Sequence, residues 1–146
     1  MRRLALAVAA GLALAGCGGS SHTATTAQAG AAQAQAQIKS AYEQFFSDRT
    51  DVPAKVRLLE NGSSFQPLIF KFTNNPLAVR VKVTVPSVTL EGPNKAKVVY
   101  QVHFASVSLP TKTGTAVKQN GRWKVGDATL CQLIALQGST PSACKS

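Results

Sequence analysis

The chain passes through four patterns of apolar and polar positions. Residues 4 to 15 form an unbroken apolar run. Residues 18 to 36 are Gly, Ser, Thr, Ala and Gln with His22 as the one ionisable side chain, and no apolar period runs through them. From Ile38 the apolar positions recur about every 3.6 residues, and from Val79 they alternate. Ile38, Ala41, Tyr42, Phe45 and Phe46 share one face of a predicted helix, with Lys39, Glu43 and Gln44 off it. Residues 47 to 51 break this helix. Thr50 or Asp51 caps a second one, with Pro53 in its first turn, Val52, Val56 and Leu59 as its buried stripe, and Asn61-Gly62 as a left-handed stop. Ser63 or Ser64 then caps a third, in which Phe65, Leu68, Ile69 and Phe72 share a face.

The alternating part predicts an antiparallel sheet. Val79, Val81, Val83 and Val85 point one way while Arg80, Lys82 and Thr84 point the other. After Pro86-Ser87 the apolar parity moves to Val88 and Leu90, which predicts a bulge or bend. Past the turn at residues 91 to 94, Ala96, Val98, Tyr100, Val102 and Phe104 line the inner face of a long strand, with Lys95, Lys97, Gln101 and His103 on the other face. Residues 113 to 119 and 122 to 125 pair across Asn120-Gly121, a strong two-residue hairpin signal, and turn Trp123 and Val125 toward the core. A last helix capped by Asp127 carries Leu130, Cys131, Leu133 and Ile134.

The apolar run at the start changes the picture. Arg2 and Arg3 precede it and small residues lead into Cys17, so residues 1 to 16 read as an export signal ending in the lipobox Leu14-Ala15-Gly16-Cys17. The run is too short for a spanning helix, which needs about 20 apolar residues. A bacterial lipoprotein carries two or three acyl chains, palmitate among them, on such a cysteine, and that is enough for a lasting anchor. The expected location is the outer face of the cytoplasmic membrane and the cell envelope, with shedding of a fraction left open. Residues 17 to 36 are expected to be a disordered tether with its ends roughly 25 Å apart, leaving 37 to 146 as one α+β domain. With Cys17 lipidated, Cys131 and Cys144 remain in an oxidising compartment and can pair only with each other. Their spacing is not that of a redox motif, two thiols make a poor metal site, and no cofactor is expected.

The net charge is +10, of which Arg2 and Arg3 leave with the signal, putting the mature chain near +8. No run of basic residues interleaved with aromatics appears, so nucleic acid is not an expected partner. Two surfaces can carry a function, a basic sheet face first and an aromatic-walled cavity as its alternative. Arg80, Lys82, Lys95 and Lys97, with Gln101 and His103, suit an anionic envelope component or a protein partner, and the same sheet face can pair with a second copy in a homodimer. Tyr42 and Phe46 on the helix face, with Tyr100 and Phe104 on the strand face, can instead wall a cavity for a small apolar ligand.

Helices followed by a curved antiparallel sheet, with a Trp after the last hairpin turn, resemble the cone-like nuclear-transport-factor-2-like fold. The local wording, in Leu59-Glu60-Asn61-Gly62, Phe65-Gln66-Pro67, Gln119-Asn120-Gly121-Arg122-Trp123-Lys124-Val125, Thr129-Leu130-Cys131 and Cys144, is similar to the low-molecular-weight antigen family of mycobacteria and related actinobacteria. That resemblance implies an exported protein with no established activity and carries over no catalytic residue. Secreted members leave the cell, whereas the lipobox here implies retention. The isomerase branch of the same fold would need an acid or base on the inner face beside hydroxyl donors such as Tyr42 and Tyr100. None of the six acidic residues falls on an inferred inner face, so the expectation is a binding domain and not an enzyme.

Overall fold

A computed structural model describes residues 21–75, 81–136 and 138–145. Cys17, Val79 and Arg80 lie outside these described residues. The elements run α1 (Ser21–Phe45), α2 (Val52–Leu58), α3 (Gln66–Thr73), β1 (Val81–Leu90), β2 (Lys95–Phe104), β3 (Val107–Ser108), β4 (Lys112–Gln119), β5 (Arg122–Val125) and α4 (Asp127–Ala135), with 3₁₀ turns at Gly62–Phe65 and Ser142–Cys144. The fold is α+β. The antiparallel sheet has the order β1-β2-β4-β5, and the short β3 folds back on β2.

Local chemistry explains most boundaries. Asp51 caps α2 by accepting the Ala54 N–H at 2.8 Å, and Pro53 occupies the first turn, where its missing donor is not needed. Asn120 and Gly121 both take positive φ, 54° and 75°, as a two-residue turn matched to the strand twist requires. In the β1–β2 ladder Thr84 faces Gln101 but Ser87 faces Val99, so one extra residue is inserted between them. This bulge lies where the apolar parity changes: Val83 and Val85 are buried before it, Val88 and Leu90 half-buried after it.

Three expectations are corrected. Neither Ser63 nor Ser64 caps α3: both lie in the 3₁₀ turn, and the cap position is taken by Phe65 with no side-chain bond. The tether drawn over 17–36 is helical from Ser21 onward, as the first four turns of α1. Residues 24 to 36 contain no proline and are mostly Ala and Gln, which are good helix formers, and they extend a helix already nucleated by the packed face from Ile38 to Phe45. Half-buried Ala34 and a bond from Gln35 Nε2 to the Val88 carbonyl (3.0 Å) dock this extension against β1. Asp127 is also not a cap. It is the first residue of α4, and its N–H is accepted by Glu60 Oε2 at 3.2 Å, so the helix start is satisfied from a distant loop.

α1 crosses the concave side of the sheet against β1 and β5. Ile38, Tyr42, Leu59, Ala96, Val98, Ala116 and Val125 are sealed beneath it. Cys131 and Cys144 form the expected disulfide, with Cα atoms 5.6 Å apart, and hold the tail to α4.

Candidate functional site

The inner positions of β2 run Ala96, Val98, Tyr100, Val102, Phe104, and the cover over them ends partway. Gln35 of α1 stands at the level of Val88, which pairs with Val98, and Tyr42 and Phe46 reach Tyr100. Beyond Tyr100 the helix has finished while the strand continues. The uncovered part of the concave face is a cleft of about 580 Å³, within the range of roughly 300–1,000 Å³ common for small-molecule sites. Phe45 and Phe46 close one side; Ile69, Phe72 and Thr73 of α3 and Leu130, Leu133 and Ile134 of α4 form the walls. Val81, Val102 and Phe104 line it from the sheet. The exposed side chains of Phe104, Leu109 and Leu136 stand at its lining, and exposed Val107 lies on the adjoining β3. Among the described residues, Lys55 and Lys112 are its charged lining residues.

The four aromatic positions expected to wall a cavity divide into two pairs. Phe46 and Phe104 line the cleft. Tyr42 and Tyr100 are core residues behind it, with Phe46 stacked on Tyr100 at 6.2 Å between ring centres. The Tyr42 hydroxyl donates to the Thr115 carbonyl at 2.6 Å and lies 3.1 Å from Thr129 Oγ1, which in turn accepts the Thr115 N–H at 2.8 Å. This network ties α1, β4 and α4 together. A methyl group at Gly114 would stand only 2.7 Å from the Tyr42 hydroxyl, so the close approach needs glycine there. Burial raises the Tyr42 pKa well beyond the usual phenol range, opposed by its bond to Thr129, and burial pushes Tyr100 up to about 12. Both phenols stay protonated. Burial also lowers the pKa of Lys55, with the Asp48 carboxylate acting in the opposite direction.

Of the basic face, Lys82, Lys95 and Lys97 are exposed on the convex side, away from the helices; Arg80 lies outside the described residues. Lys82 pairs with His103, six positions along β2 from Lys97, so these lysines sit roughly 20 Å apart along the strand. Between them Gln101 donates to the Leu109 carbonyl, and the His103 ring bonds Thr84 and Ser108.

The motif residues around 60 and 120 meet in one polar network. Asn61 Nδ2 donates to Asp127 Oδ2 at 3.0 Å, Gln119 Nε2 to Asn61 Oδ1 at 3.1 Å, and Lys124 Nζ to Gln119 Oε1 at 3.0 Å. They hold the α2–α3 connection to the hairpin and have no lining position in the cleft. Sequence reasoning missed Lys55, Lys112, Leu109 and the α3 and α4 walls, because these converge only through the tertiary fold. One signal was readable: Lys112 has the parity of Gly114 and Ala116, so it stands on the core side of its strand. Among the described residues, no group of three His, Cys, Asp or Glu side chains could hold a metal ion, and no helix is long and apolar enough to cross a membrane.

Residues 31–141 match the family model described as low molecular weight antigen MTB12, C-terminal domain, and the chain belongs to that family. No curated protein matches it.

Proposed function

We propose that this member of the low molecular weight antigen MTB12 family is a non-catalytic binding domain of the cell envelope, anchored through acyl chains on Cys17, which holds a small apolar ligand in its cleft. The observation that carries this reading is the cleft itself: apolar side chains from three helices and the sheet surround about 580 Å³ and leave Phe104 and Leu136 in contact with solvent. A folded chain gains by covering such surface, at roughly 25 cal/mol per Å². Among the described residues the lining carries no acid, histidine or cysteine side chain, which supports binding over catalysis. The basic, small-residue-flanked start of the chain supports the anchor.

Native mass spectrometry of the exported protein tests the carrier reading. A co-purifying lipid or other apolar small molecule is the expected result, lost when Leu133 is replaced by Arg. An empty protein in every preparation from envelope material would count against it. Metabolic labelling with a fatty acid, present on the native chain and absent from Cys17→Ala, tests the anchor.

A second reading has its own observation, the exposure of Lys82, Lys95 and Lys97 on the convex face, which suits an anionic envelope component or a protein partner, a second copy included. Pull-down from envelope extracts separates the two readings. A partner lost on Lys82→Glu with Lys97→Glu supports the convex face, and equal recovery removes it.

A further inference from the structure

We propose that the ligand of this cleft is a single-chain amphiphile with an anionic head, a fatty acid in chemical class, whose chain lies on the apolar walls and whose carboxylate meets the ammonium groups of Lys55 and Lys112. The inference rests on the carrier reading above and narrows it.

Lys112 opens β4 two residues before Gly114 and four before Ala116, both buried, so strand alternation sends its side chain to the concave side. A sheet face packed on helices ordinarily carries an apolar residue at such a position. Its ladder partner is Tyr100, the residue at which the cover over β2 ends. Lys55 enters the same lining from α2 and is half-buried. Among the described residues neither ammonium group makes an ion pair or a hydrogen bond, and none of the chain's six acidic residues lines the cleft. Asp48, in the turn after α1, acts on Lys55 only through space.

A neutral hydrocarbon would cover two cations without replacing their water, which is unfavourable; an entering carboxylate supplies charge-assisted hydrogen bonds in exchange.

cis-Parinaric acid and its methyl ester share one fluorescent chain and differ in charge. Titrated into the full chain carrying Cys17→Ala, which has no acyl groups of its own, the acid should bind roughly tenfold or more tightly than the ester, a difference of about 1.4 kcal/mol or more. Lys55→Gln combined with Lys112→Gln should bring the acid down to the affinity of the ester and leave the ester unchanged, which also reports that the variant is folded. The acid-to-ester ratio of the protein with both lysines is read independently of that variant. Equal binding of acid and ester, or equal weakening of both by the substitutions, would overturn the anionic head and leave the carrier reading standing. Binding of neither probe, or a dimer in which a second copy fills the mouth and excludes both, would remove the carrier reading and this inference with it.

Discussion

On β2, Val98 and Phe104 lie on the same side of the same strand, six residues apart, yet Val98 is fully buried and Phe104 is 42% exposed. The difference is in what stands opposite. α1 lies over the first half, with Ile38 and Tyr42 sealed against the sheet, and ends at Phe45 before the second half begins. Period 2 therefore tells which way a side chain points and says nothing about whether another element reaches it. The closed end is a packed core; the open end is the same apolar face left without a cover.

Substitutions at the two ends should separate them, beginning with the largest effect. Trp123→Ala at the closed end removes a buried side chain on β5, and urea denaturation should show a loss of about 3–5 kcal/mol. A loss near that of a surface change would mean the closed end is not the main core. Replacing Cys131 and Cys144 together by Ser should lower stability by about 3 kcal/mol. Since this disulfide pins the tail to a wall of the cleft, amide exchange should speed up in α4 more than in the first half of β2.

Tyr42→Phe keeps the ring and removes the bond to the Thr115 carbonyl, so a loss of about 1–2 kcal/mol is expected. No change would show that Thr129 satisfies that carbonyl alone. Glu60→Gln probes the polar tie between the α2–α3 connection and α4. Burial, with the neighbouring Asp127 carboxylate adding to it, holds the Glu60 carboxyl above its ordinary 4.5. The folded state thus binds this proton more tightly than the unfolded chain. Its contribution is fully present below pH 4.5 and is lost as the pH rises through the raised value. The glutamine variant should flatten the fall in urea midpoint over that window, and an unaltered slope would assign the fall to another group. Phe104→Ala at the open end should cost less than about 1 kcal/mol, while reducing parinaric acid uptake; the reverse pattern would make the open end core.

The sequence by itself determined several features that depend on neighbours a few residues away. The Asp51 cap, the Asn120-Gly121 turn, the bulge marked by the parity change around Pro86 and the inward set Ala96, Val98, Tyr100 follow from local backbone and side-chain geometry, and each stands where the pattern puts it. The motif residues around 60 and 120 were also visible, but their joining in one hydrogen-bonded network was not. The tertiary structure alone decided the site. It extended α1 through residues with no apolar period, because Ala and Gln propagate a helix once the packed turns after Ile38 nucleate it. It placed Tyr42 and Tyr100 behind the cleft and brought Lys55, Thr73, Lys112 and Leu133 onto its lining from four separate elements. Burial and enclosure are properties of what lies across the gap, and here those partners come from parts of the chain tens of residues apart.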